Sequence, residues 1–231
     1  KIDSGALQLA VARDQGHGVH SYVPSALSLT QSTEAGSVYQ PGEVAALCQA
    51  AKTLGMASHM DGARFANAVA ALGCTPAETS WRAGVELMSF GASKNGCLAA
   101  EALLIFSNAD LRDRAERIRK RSGHLLSKMR FVSAQLLAYI DDNRWLRFAR
   151  HANQQAALFA QAVRRHPEAQ LEFEVQANEV FVRWTAAGFS RLAAAGIQFL
   201  EWPGQDNLCR FVFSHNTDPA ATARLCQELA R

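Results

Sequence analysis

No pair of cysteines sits at metal or redox spacing in this sequence. Its five cysteines, Cys48, Cys74, Cys97, Cys209 and Cys226, are scattered, and none falls in a C-x-x-C motif. An odd, dispersed set argues against a disulfide framework and against a zinc site. Cys48 and Cys226 lie on helical apolar faces, where a thiol serves as a small core residue. Charge of one sign is also lacking: 24 basic and 21 acidic residues leave a formal charge of +3. Nothing there calls for a nucleic acid or another polyanion. The densest basic run, Arg112 to Arg121, includes Asp113 and Glu116 and reads as a solvated helix face. There is no apolar run long enough to cross a bilayer and no recognisable targeting segment. These absences exclude a membrane span and point to a reducing cytoplasm.

The 231 residues, 48% of them hydrophobic, suffice for one large domain, or one and a half, with a buried core. The informative stretch is residues 55–96. Two short apolar runs each end in a polar cluster, the first in His59-Met60-Asp61-Gly62-Ala63-Arg64, the second in Ser89-Phe90-Gly91-Ala92-Ser93-Lys94-Asn95-Gly96. Helical spacing lies between them, which predicts strand, helix, a second helical turn, strand. Clusters at strand carboxyl ends of an open α/β sheet meet at one crevice. The small residues around Lys94 let a flat cofactor approach the backbone. Shielded from water and near other positive charge, such a lysine loses its proton readily and attacks a carbonyl. Asp61 is the acid that would hold a proton on a pyridine nitrogen, the pairing used by pyridoxal phosphate (PLP) sites.

The segments H-M-D-G-A-R-F-A-N-A, S-F-G-A-S-K-N-G and S-L-T-Q-S-T-E-A-G-S-V-Y (residues 28–39) resemble the low-specificity L-threonine aldolase family. The likeness is strongest over residues 16–107 and fades after about residue 140. D-G-A-R alone is weak, but D-G-A-R-x-x-N-A followed at this distance by S-K-N-G is specific. The resemblance implies the fold type I architecture of PLP-dependent transferases. That fold has a large α/β domain with a mostly parallel sheet, followed by a small α+β domain. It implies retro-aldol cleavage of β-hydroxy-α-amino acids, threonine or allo-threonine giving glycine and acetaldehyde, with Lys94 joined to PLP. Arg64 and Ser93 are then expected near the cofactor, and Arg130 at its phosphate, across a subunit interface. Arg210 in L-C-R-F-V-F-S-H is expected to grip the substrate carboxylate, a task that suits the guanidinium fork. Thr33 and Glu34 stand where relatives reach the substrate side chain, and Glu34 is the candidate acceptor of the hydroxyl proton. The family further implies a homo-oligomer, dimer or tetramer, with active sites at the interface. Another PLP enzyme, a β-eliminating lyase or aminotransferase, is an alternative. A non-catalytic remnant is a third reading.

The family also carries a preceding portion with a glycine-rich, phosphate-cradling turn and a ring-stacking residue. Residues 1–25 show neither, so the chain is expected to be a fragment that alone binds PLP poorly. Along the chain, helices are expected over residues 5–13, from Pro41 to Gly55, after Arg64, and from Thr75-Pro76-Ala77-Glu78, where a capping box precedes the strand 85–89. Strands are expected at 25–31, 56–60 and 101–107, the last antiparallel. Helices then fill 110–166, broken at Gly123 and at Asp141-Asp142-Asn143. Leu125, Leu126, Met129, Val132 and Leu136 form one apolar stripe. Strands at 171–175, 179–184, 197–202 and 208–214, with helices near 188–195 and 218–230, make the last unit. The expected divisions are 1–125, 126–166 and 167–231. His17 and His20 lie three apart without a third ligand and read as loop residues rather than metal ligands.

Overall fold

Alternation of apolar and polar residues in A-L-S-L-T and A-S-H-M-D-G places every second side chain on one face of a sheet. The computed structural model, which describes residues 1–106 and 109–229, builds that sheet from four strands. They are β1 (Ala26–Thr30), β2 (Ala57–Gly62), β3 (Leu87–Gly91) and β4 (Glu101–Ile105), hydrogen-bonded in that order. The first three run parallel, and β4 is antiparallel to β3, as expected. Ser107, assigned to the fourth strand from sequence, and Ala230, assigned to the last helix, lie outside the described residues. Leu27, Leu29, Met60, Met88 and Phe90 are buried beneath helices. Ser28, Thr30, His59, Asp61 and Ser89 alternate with them and are half-buried or exposed.

Helix α1 (Ser4–Asp14) packs on α2 (Pro41–Thr53), and both contribute to the buried face through Leu7, Val11, Val44 and Leu47. Pro41 opens α2, the Gln40 amide donates to the Glu43 carboxylate at 2.6 Å, and Gly55 turns the chain with φ +74°. The third helix, α3 (Phe65–Leu72), ends at Gly73 in the left-handed conformation, as its position predicts. The helix expected from Thr75 does not form. Thr75 and Glu78 make the local bonds of a capping box, with the Glu78 carboxylate accepting from the Thr75 amide at 2.7 Å and from its hydroxyl at 2.6 Å. Residues 76–80 nevertheless remain turns, followed by a short 3-10 segment over 81–83. Backbone bonds there reach back three residues, from the Glu78 amide to the Thr75 carbonyl and from the Ser80 amide to the Ala77 carbonyl, and the Thr79 hydroxyl is held by the buried Gln31 side chain.

Helices α4 (Ala109–Arg121), α5 (Arg130–Ile140) and α6 (Arg144–Val163) follow, separated at Gly123 and at Asp141-Asp142-Asn143. Helix α4 buries none of its residues, in keeping with a solvated basic face. Of the apolar stripe, Val132 and Leu136 pack on the first core, whereas Leu125 and Leu126 are exposed and precede α5. The final unit holds strands β5 (Ala169–Leu171), β6 (Glu179–Trp184), β7 (Leu200–Glu201) and β8 (Leu208–Val212) in the antiparallel order β5-β6-β8-β7. Its helices are α7 (Ala186–Ala194) and α8 (Pro219–Glu228). Its first strand sits earlier than the expected 171–175, because Ala169 to Leu171 pair with Val182 to Trp184.

Two large hydrophobic cores form among the described residues, with a small third cluster of Val38, Ala68 and Ala177. The first gathers α1, α2, α3 and the large sheet. The second gathers β6, β8, α8 and the far half of α6. At 20 residues, α6 is about 30 Å long and enters both: Trp145 and Ala149 belong to the first, Phe159 and Val163 to the second. No helix among the described residues is long and apolar enough to cross a membrane.

Candidate active site

The carboxyl ends of β1, β2 and β3 lie side by side and carry the residues that sequence singled out. Thr30 pairs with Asp61 and Asp61 with Ser89, so the aspartate occupies the centre of three strand ends. Its Oδ1 accepts from the Ala63 amide at 2.9 Å, and its carbonyl accepts from the Gln31 amide at 2.9 Å. The side chain is thereby aimed by the turn that follows it. One step earlier on the same face, His59 bridges the strands, with Nδ1 2.8 Å from the Ser28 hydroxyl and Nε2 3.0 Å from that of Ser89.

Lys94 sits in the turn after β3 and is exposed, where sequence suggested it would be shielded. Its backbone is pinned from below. The side-chain amide of Asn95 donates to the Tyr139 hydroxyl at 2.6 Å and to the Trp145 carbonyl at 2.9 Å. Tyr139 and Trp145 belong to a ring cluster with Phe65 and Phe90. Burial pushes the Tyr139 hydroxyl far above its ordinary pKa, so it stays protonated. The hydroxyl of Ser93 is engaged within the turn, accepting from the Ala100 amide at 3.1 Å. The Asp61 and Lys94 loops touch backbone to backbone. A Cβ on Gly91 would come within 2.7 Å of Ala63 Cα, and one on Gly62 within 2.7 Å of the Ser89 carbonyl oxygen. Glycine is required at both positions for these loops to meet.

Beside this pair lies an ionic cluster that draws on both parts of the chain. Glu179, the first residue of β6, is 1% exposed. Its Oε1 lies 3.0 Å from Arg64 Nη2 and accepts from Arg210 Nε at 3.0 Å, with Arg210 Nη2 also bound. Arg210 Nη2 is in turn 3.3 Å from the Glu34 carboxylate, which stands largely in solvent. Burial raises the pKa of Glu179, and Arg64 and Arg210 pull it back down. Phe181 and Trp202 lie near the Arg210 guanidinium, 5.9 and 5.7 Å from it. Sequence placed Arg64 and Arg210 at this end of the molecule but gave no sign of Glu179, an isolated acid at the head of an apolar strand. At the far end of β8, His215 packs near Gly96 and Phe148, which brings the second unit against the lysine turn as well.

The remaining candidates are placed as follows. Thr33 closes the loop after β1, its hydroxyl 2.7 Å from that of Ser37. Arg130 touches none of these residues; its guanidinium lies 4.9 Å from the Phe131 ring at the exposed start of α5. Cys97 is half-buried, and desolvation raises its thiol pKa, which makes it a poor nucleophile. A cavity of about 600 Å³, lined by Met88, Phe90, Leu104 and Trp145, opens on the opposite face of the sheet from Asp61 and plays no part in this cluster. Among the described residues no group of three or more metal-ligating side chains gathers.

Comparison with known proteins places the chain in a family and a fold. Residues 1–187 match the family model described as beta-eliminating lyase. The chain belongs to that family. Within the beta-eliminating lyases, it is 41% identical over 232 residues to the low specificity L-threonine aldolase of Pseudomonas aeruginosa. It spans 99% of its own length but 66% of that relative's. A solved threonine aldolase from Leishmania major superposes with a TM-score of 0.89 at 23% identity, over 100% of this chain and 67% of the other. A structure of Oryza sativa TDC with PLP and tryptamine matches at a TM-score of 0.67 and 17% identity, over 99% of this chain and 51% of the other. The fold is thus the type I fold of PLP-dependent enzymes, with a mixed, mainly parallel sheet followed by the smaller antiparallel one.

Proposed function

We propose that this chain carries the lysine half of a PLP-dependent aldehyde-lyase centre. That centre would cleave β-hydroxy-α-amino acids such as threonine or allo-threonine to glycine and an aldehyde. The observation that carries the reading is the meeting of the Asp61 and Lys94 loops at adjacent strand ends, in contact at Gly62 and Gly91. The donor set fits the cofactor: an exposed amine without a partner among the described residues on one loop, an acid anchored by its own turn on the next, and glycines that keep the backbone low between them. Bound PLP supplies an electron sink for the bond being broken. Lys94 would provide the amine that holds its aldehyde. Asp61 would keep a proton on the pyridine nitrogen, and the Ala63 amide bond fixes the direction from which it does so.

Arg210, set on Glu179, would receive the substrate carboxylate, with Arg64 supporting the same buried acid. Thr33 would help shape the loop over the substrate, and Ser93 and Arg130 would serve the cofactor phosphate, Arg130 from a second copy. Glu34 contacts Arg210 and not the lysine turn. We therefore assign it to the carboxylate end of the substrate, and not to the hydroxyl proton. Homo-oligomers with shared sites and a cytoplasmic location follow from the same reading.

The test is made on the full-length, PLP-loaded protein. Lys94→Ala is expected to remove the visible absorbance of lysine-bound cofactor. Asp61→Asn should retain that absorbance and lose turnover by roughly 10- to 150-fold, the equivalent of one charge-assisted hydrogen bond of about 1.5–3 kcal/mol. An unchanged spectrum in the first variant, or full turnover in the second, removes the assignment. Assays with threonine, allo-threonine, tryptophan and keto acids separate the aldolase from a β-eliminating lyase or an aminotransferase.

A further inference from the structure

Arg210 presents two sides. One is sealed: Nε and Nη2 bind the buried Glu179, and the guanidinium lies near Phe181 and Trp202. On the other, the same Nη2 meets Glu34, whose side chain is 61% exposed and whose only ion pair among the described residues is this contact at 3.3 Å. Glu34 belongs to the short loop after β1, which is closed on itself by Thr33 and Ser37. The outer side of Arg210 is therefore already occupied, from within the chain, by a carboxylate.

We infer that Glu34 is an internal stand-in for the ligand's carboxylate, and that an amino acid engages Arg210 by displacing it. The inference rests on Arg210 as the carboxylate grip and adds a competitor to it. Charge bookkeeping requires the exchange. Arg64 and Arg210 are balanced by Glu179 and Glu34, and Glu34 is close enough to Glu179 for their charges to repel. A third carboxylate arriving beside both would leave uncompensated negative charge in a partly buried place. Glu34 can leave at little cost, because its side chain is largely solvated already and an exposed pair holds it weakly. Glu179 cannot leave, because it is buried. The outer acid is thus exchangeable and the inner one fixed. A ligand without a carboxylate has nothing to exchange and gains nothing from the vacated guanidinium.

The experiment compares glycine with glycinamide, by isothermal titration calorimetry on the PLP-loaded full chain. Removing the competitor in Glu34→Gln and Glu34→Ala should tighten glycine binding about two- to fivefold, the scale of an exposed ion pair. Glycinamide affinity should stay as it was. Weaker glycine binding in both variants, or equal tightening of both ligands, overturns the stand-in. Arg210→Lys separates the two levels of the argument. If it leaves glycine affinity untouched, the carboxylate grip itself is wrong. If it weakens glycine while the Glu34 variants do not tighten it, the grip stands and the displacement fails.

Discussion

At the scale of single residues, Glu179 carries the largest energetic stake. One oxygen of its carboxylate serves two guanidiniums, on α3's entry turn and on β8, and thereby ties the first unit to the second. Its other oxygen, Oε2, is buried without a hydrogen-bond partner among the described residues. A buried pair gains little over an apolar replacement, but breaking it by removing one partner leaves buried charge unanswered. Glu179→Leu should therefore destabilise the protein by about 3–5 kcal/mol, read as a fall in the urea midpoint. Glu179→Gln should cost less, because its amide oxygen still accepts from both arginines. Equal stability of the Leu variant and the wild type would show that the acid does not hold the two units together. Local residue types singled out Lys94 and Asp61 in the sequence, and resemblance to a family's motifs singled out Arg64 and Arg210. Glu179 was singled out by neither, since its meaning lies in two partners distant along the chain. Asn95 was read only as part of its motif. Its role as the strut under Lys94 required the ring cluster of Tyr139 and Trp145 to be in place.

Between elements, geometry is set where β2 and β3 end. Strand and helix identities followed from alternation and from Pro and Gly punctuation, so β1 to β4, α2 and the breaks at Gly123 and Asp141 were readable beforehand. Three features were not. The bonds of the Thr75–Glu78 box are local and do form, yet no helix grows from them, and the Thr79 hydroxyl is held by Gln31, distant along the chain. The first strand of the second unit was displaced because its partner Val182 to Trp184, and not its own composition, decides the pairing. The contact of the two loops was likewise invisible, although small residues hinted at it. It supplies a sharp test. In Gly91→Ala, the new methyl group would stand 2.7 Å from Ala63 Cα and 3.1 Å from the Ala63 carbonyl oxygen, both backbone atoms that cannot rotate away. The expected cost is about 1–3 kcal/mol of stability. Because the loops are pushed apart, a fall in kcat should accompany it even where the protein remains folded. Gly73→Ala is the control: φ there is +65°, but nothing lies within 4 Å, so its backbone strain should lower stability without a matching loss of kcat.

For the whole molecule, stability rests on two large cores threaded by α6, and the fold has an acid sensitivity at two histidines. His166 lies against the Trp184 ring and His215 against Phe148. Desolvation lowers the pKa of both below 6.5, helped by Arg191 for the first and by His151 for the second. The unfolded chain therefore takes up protons before the folded one does as pH falls. Stability should be constant above the unfolded histidine value and decline as pH drops through it toward the lower folded values. Thermal melts between pH 8 and pH 5 would show this slope, and His166→Gln combined with His215→Gln should flatten it. An unchanged slope in the double variant would assign the sensitivity elsewhere.

The assembly is tested by Arg130. It lies at the exposed start of α5, and among the described residues its one recorded contact is with the Phe131 ring. A phosphate-binding arginine that reaches no site in its own chain must, if the proposal holds, reach one in a neighbour related by two-fold symmetry. Full-length Lys94→Ala and Arg130→Ala proteins should each be nearly inactive alone. Mixed and reassembled as dimers, half of the particles are hybrids, and one of the two sites in each hybrid has both side chains intact. Activity should then return to roughly a quarter of the wild type. If Arg130 works within its own chain, every site in the mixture lacks one of the two groups, and no activity returns.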